Sequence, residues 1–194
     1  MLIESSIDVA QPIEKVWAFC QDIPQVAACL PGAELTDEIG PDEYAGKVAI
    51  SMGPVKMQFA GTARVTKRDE ANKTIVVDAA GADEKGQAQA NLGLTVQLQP
   101  SGSGTTLDVT QDIQLSGAAA QYGRGMIGDV SQVLMRDFAS NVQTRLDALD
   151  RGVAVDQLQG GQSASGFLIG LRAAWMALKR VARRFFLPYQ PSRS

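Results

Sequence analysis

The longest periodic pattern in the chain runs over 118–150. Tyr122, Met126, Val130, Val133, Leu134, Phe138, Val142, Leu146 and Leu149 recur at spacings of three and four, which predicts one long amphipathic helix. Gln121, Arg124, Asp129, Gln132, Arg136, Ser140, Gln143 and Asp147 fall mostly on its other face. Before this helix the period changes to two. Ile3, Ser5, Ile7 and Val9 alternate with polar neighbours, which predicts a strand. Pro12, suited to a first helical turn, opens a short helix through Val16, Trp17 and Cys20, and Asp22 can cap a second over 23–29.

Alternation then returns in six segments, beginning with a short strand at 33–36. Strands over 44–52 and 55–66 flank Gly53-Pro54 as a hairpin, and further strands cover 73–82, 88–98 and 106–115. One strand, two short helices, about six strands and one long helix make an α+β chain: an antiparallel sheet with one face wet and the other covered by the helix.

The inward positions of this sheet carry many small residues: Gly46, Gly61, Ala63, Ala79, Gly81, Ala88 and Ala90. Interiors pack at a density of about 0.75, so small residues facing a helix leave either a close approach or a space for a ligand. The residues expected to line such a space are Met52, Met57, Phe59, Leu92, Leu94, Val130 and Leu134, with Gly125 and Ile127 as further ligand contacts and Tyr122 and Met126 at its mouth. Their apolar character suits an apolar ligand. Gln111 interrupts the inward face of its strand.

Gly123 to Gly128 spell G-x-G-x-x-G, the dinucleotide fingerprint. That motif needs a second parallel strand after the helix. None follows, so nucleotide binding is not expected. The glycines then serve either close helix–sheet packing or a mobile first turn that gates the space.

Beyond 150 the pattern breaks. Residues 151–165 are rich in Gly, Gln and Ser and read as a flexible linker. Over 166–187, Phe167, Leu168, Leu171, Trp175, Leu178 and Phe185 fall on the apolar side of a second helix, with Arg172, Lys179 and Arg183 along one border. Five basic residues make spanning a bilayer costly, at about 2.5–3.5 kcal/mol each near a helix centre. A helix lying in the membrane surface is the expected state, with docking on a partner protein or on the body as alternatives. Residues 188–194 read as a disordered end.

Charge sharpens this division. All 21 acidic residues lie at or before Asp156, whereas 166–194 carry six basic residues and no acidic one. An acidic body and a basic, aromatic tail favour an anionic lipid surface over nucleic acid. The chain has no histidine, which removes the commonest general base and metal ligand, and no metal site is expected. Cys20 and Cys29 are expected to be small buried residues in a reduced, cytoplasmic setting.

The element order resembles the START-like (SRPBCC) helix-grip fold. Pro12-Ile13-Glu14-Lys15-Val16-Trp17, Cys29-Leu30-Pro31-Gly32-Ala33-Glu34, the Lys47–Pro54 hairpin and the glycine-rich opening before Asp129-Val130-Ser131 resemble the G-subunit family of carbon monoxide dehydrogenases over 1–150. The resemblance implies a non-catalytic protein that accompanies a molybdenum carbon monoxide dehydrogenase. It further implies a bound menaquinone or similar isoprenoid quinone, and a place on the inner face of the cell membrane. Two other functions are open: a docking module for a molybdenum hydroxylase with no ligand transport, or a START-like enzyme acting on an apolar substrate.

Overall fold

A computed structural model describes residues 1–52 and 55–152. The strands are β1 (Leu2–Val9), β2 (Ala33–Gly40), β3 (Glu43–Met52), β4 (Val55–Asp69), β5 (Thr74–Asp83), β6 (Ala88–Ser101) and β7 (Gly104–Gly117). Helices α1 (Ile13–Gln21) and α2 (Ile23–Ala27) lie between β1 and β2, and α3 (Arg124–Asp150) follows β7. All seven strands form one antiparallel sheet in the order β1-β7-β6-β5-β4-β3-β2. With α3 gripped by that curved sheet, the architecture is the helix-grip fold. The expected linker, tail helix and end (153–194) lie outside the described residues. The backbone divides into a unit of Met1–Asp147 and a second beginning at Ala148.

The alternating pattern sets the sheet because each strand buries one face only. On β7, Thr105, Leu107, Val109 and Gln111 are buried while their neighbours are more open. The main core forms where α1 and the second half of α3 meet this face. Val16, Trp17 and Phe19 of α1 pack with Val142 and Leu146 of α3 and with Ile7, Val9, Leu107 and Val109 of the sheet. Polar bonds fix the same end. Gln143 Oε1 accepts from the Ala10 amide at 2.8 Å, and Asn141 Nδ2 donates to the Cys29 carbonyl at 2.9 Å.

Cys29 is buried and Cys20 half-buried, both as free thiols. Burial pushes the Cys20 thiol up to about 12, with a further contribution from Cys29. Burial also raises Cys29, partly offset by the neighbouring Arg145 guanidinium.

The long helix differs from its predicted form in two ways. It starts at Arg124, six residues late. Gly117 takes φ 65°, residues Ala118–Gln121 make a single 3-10 turn, and Tyr122 is extended. Alanine-rich 118–120 favours helix locally, but the turn out of β7 sets the backbone direction instead. Second, the buried stripe is rotated. Met126 and Val133 are each 46% exposed, and Leu149 is 40% exposed. The inward positions are Ile127, Ser131, Met135, Phe138, Val142 and Leu146, with Val130 and Leu134 half-buried beside them. Ser131 and Arg145, polar by composition, are buried.

Candidate ligand-binding site beneath the long helix

The inner face of the sheet is packed at both ends and open between them. At one end lies the main core. At the other, Phe59, Ala88 and Ala119 form a small buried cluster with Val48, Ile50, Met57, Ala90 and Leu115 against it. Ala63, Ala79, Leu92 and Ile113 belong to neither cluster and stay half-buried. The register places these four in one row across β4, β5, β6 and β7. The 3-10 turn sits over the small cluster through Ala119, and Ser131 reaches Gln111 two positions beyond Ile113. Residues 122–130 therefore bridge the open strip, and Ile127, Val130 and Leu134, also half-buried, join neither cluster. What results is an apolar strip of sheet under the first turns of α3.

The next row across the sheet is Gly46, Gly61, Gly81 and Ala90. Here the reading of small residues as empty space needs correction. A Cβ on Gly61 would lie 2.0 Å from the Ala80 carbonyl oxygen, and one on Gly46 would lie 2.8 Å from that of Glu34. These glycines let strongly coiled strands close up on the concave side. They shape the wall of the strip, whose smallest side chains are those of Ala63 and Ala79.

The other expected site residues fall as follows. Phe59 is buried in the small cluster with Met57 beside it, and Leu94 packs on the main core; Leu92 lies in the strip. The side chain of Met52 lies outside the described residues, as do Phe167, Leu168, Leu171, Arg172, Trp175, Leu178, Lys179, Arg183 and Phe185. Tyr122 is half-buried at the break before α3, and Gly125 and Met126 are exposed. A Cβ on Gly123, Gly125 or Gly128 would meet nothing within 4 Å among the described residues. Close packing therefore does not explain these glycines. Gly125 and Gly128, inside α3, weaken its first turns at about 1 kcal/mol each relative to alanine.

One end of α3 is thus clamped by the main core and its polar bonds, while the other carries glycines and exposed side chains. Amide hydrogen exchange should show this directly: amides of 124–128 exchange at least tenfold faster than those of 138–147. Equal protection across the helix would rule out a yielding first turn.

Sequence periodicity marks Gln111 as an interruption but does not reveal its partner. Ser131 Oγ donates to Gln111 Oε1 at 3.1 Å in a buried bond between helix and sheet. The signal is weak, because a lone serine on a helix is usually solvated. Among the described residues, no group of His, Cys, Asp or Glu could hold a metal ion. No helix of the described residues is long and apolar enough to cross a membrane. At outward positions of the sheet, Asp78, Ala80, Asn91 and Asp112 border an open groove, and Ala79 and Leu92 contribute to its lining as well.

Residues 6–147 match the family described as CoxG, the G-subunit of carbon monoxide dehydrogenase. The chain belongs to that family. Members of the wider helix-grip fold share the architecture at low identity. A conserved protein of Geobacillus kaustophilus is 24% identical with a TM-score of 0.68, covering 76% of this chain and 95% of its own. The Zhui aromatase/cyclase of Streptomyces sp. R1128 is 15% identical with a TM-score of 0.55, covering 76% and 94%. A Thermus thermophilus protein is 14% identical with a TM-score of 0.53, covering 74% and 98%. At these identities the likeness is one of fold alone. No curated protein matches the chain. For a member of the CoxG family, the fold and the apolar strip suit a ligand-binding accessory protein.

Proposed function

We propose that this chain is a non-catalytic carrier and membrane adapter for a molybdenum carbon monoxide dehydrogenase. Its ligand is an isoprenoid quinone such as menaquinone, held beneath α3. The observation that carries the reading is the half-buried apolar strip between two packed clusters. Apolar surface left open beneath a helix is where an apolar ligand gains most from leaving water, at about 25 cal/mol per Å². The glycine-weakened start of α3 supports entry from that end. Family membership supports the enzyme partner. The basic, aromatic pattern over 166–187 supports a resting place on the inner face of the cell membrane.

Two measurements on the full chain test the two halves of the reading. Mass spectrometry of an organic extract of the purified protein should find a stoichiometric isoprenoid quinone. Sedimentation with phosphatidylglycerol vesicles should carry the full chain down and leave a chain lacking 163–194 in solution. A protein that yields no lipid and ignores added menaquinone would overturn the carrier role, and equal pelleting of both forms would overturn the tail's.

A further inference from the structure

Gln111 is 6% exposed on the inner face of β7. The row it occupies across the sheet is otherwise apolar: Val65, Val77, Leu94, then Gln111, then Ile3. A buried primary amide has two ends to satisfy, a carbonyl and an NH₂. Only one is satisfied. Oε1 accepts from Ser131, whereas Nε2 is buried with no hydrogen-bond partner among the described residues. Turning the amide over does not help. Nε2 would then donate to the Ser131 hydroxyl and leave Oε1 open, so one end lacks a partner either way. Nearby, Ser5 Oγ is also buried and without a partner among the described residues. Ser5 pairs with Val109 and Ile3 with Gln111, so Ser5 and Gln111 are diagonal neighbours on one face. Three polar side chains, Gln111, Ser131 and Ser5, thus lie in one patch of the interior, at the edge of the open strip.

Buried polar groups are satisfied in native proteins with few exceptions, and an orphan marks a missing partner. Resting on the carrier reading above, we propose that Gln111, held by Ser131, is the polar anchor for the ligand's head group, and that it accepts both redox forms of a quinone. The chemistry follows from the amide's two faces. With Oε1 on Ser131, Nε2 is free to donate to a quinone carbonyl. With the amide turned, Ser131 accepts from Nε2, and Oε1 is free to accept from a quinol hydroxyl. The hydroxyl of Ser131 complements either orientation because it both donates and accepts. A side chain that could only accept would hold the quinol and repel the quinone carbonyl, and one that could only donate would leave the quinol O–H without an acceptor. The anchor binds the head group and transfers neither electron nor proton.

The test compares menadione, menadiol under anaerobic reducing conditions, and methylnaphthalene, which has the ring system without the oxygens. The full chain should bind menadione and menadiol with affinities within about threefold of each other, both tighter than methylnaphthalene by roughly tenfold, the value of one hydrogen bond to an otherwise orphaned group. Gln111→Leu and the more flexible Gln111→Met should lose that tenfold for both redox forms and leave methylnaphthalene unchanged. A purely structural role would move the melting temperature but not the ratio of menadione to methylnaphthalene binding. Variants that retain the native ratio would overturn the anchor while leaving the carrier reading intact. A full chain that binds none of the three probes would overturn both.

Discussion

Gly61→Ala is expected to destabilise the protein by about 3 kcal/mol or more, the upper end for overpacking a filled site. The new Cβ meets the Ala80 carbonyl oxygen at 2.0 Å, with the Gly81 Cα at 2.6 Å and the Ala80 carbonyl carbon at 2.8 Å. All three are backbone atoms of the neighbouring strand, so no side-chain rotation relieves the clash. The strands must separate, and they separate at the middle of the row that shapes the concave face. At roughly 2–4 °C per kcal/mol for a chain of this size, the melting temperature should fall by about 10 °C. Gly128→Ala should act in the opposite direction. Nothing lies within 4 Å of its added Cβ among the described residues, and alanine stabilises a helix interior by up to about 1 kcal/mol. Paired thermal melts of the two variants check this, and a Gly61→Ala variant that melts like the native protein would show that β4 and β5 can part at little cost.

Leu146→Ala is expected to cost about 2–5 kcal/mol, the range for removing a fully buried leucine. Leu146 is 1% exposed and sits in the main core with Val142, Val16, Val9 and Leu107. Its loss leaves a cavity between α1, α3 and the sheet, where polar bonds from Asn141 and Gln143 hold the backbone and limit collapse. Since domains of this kind are stable by only about 5–15 kcal/mol, urea denaturation should show a large fall in midpoint at unchanged slope. Val133→Ala is the internal control. Sequence periodicity puts Val133 on the same stripe as Leu146, but it is 46% exposed, and its truncation should stay within about 0.5 kcal/mol.

That pair of residues shows what is legible in the sequence. Period-two alternation is a strong signal because it repeats over many positions, so all seven strands and their antiparallel pairing can be anticipated. The helix is legible as an element but not in its rotation. Hydropathy ranks Val133 above Ser131, yet Ser131 faces inward because Gln111 awaits it across the sheet. A polar pair in a core leaves no trace in either element alone. It emerges only when the register brings the two together. The start of α3 escapes prediction for a related reason: 118–121 has good helix formers, but the positive φ of Gly117 fixes where the chain leaves β7. The glycines of β3, β4 and β5 are visible as small residues, while their role depends on cross-strand register, which aligns Gly46, Gly61 and Gly81.

For the site, the apolar lining is partly legible. Leu92, Val130 and Leu134 flank the strip, whereas Phe59 and Leu94 belong to packed clusters and Met126 faces solvent. Ala63 and Ala79, legible only as small inward residues, are the smallest side chains of the strip. The positions that matter most for room are those with least side chain, which is why large apolar residues point to the walls and miss the floor.

If the strip beneath α3 binds an apolar ligand, filling it must abolish that binding. Calorimetric titration of the full chain with menadione at several temperatures should show saturable binding with a negative heat-capacity change, the mark of buried apolar surface. Ala79→Trp, which fills the strip from the inner face of β5, should abolish that binding in a protein that still melts cooperatively. Ala80→Trp, one position along and on the outer face, should leave it intact. Binding by Ala79→Trp equal to that of the native chain, or no binding by the native chain at all, would contradict a ligand site beneath α3.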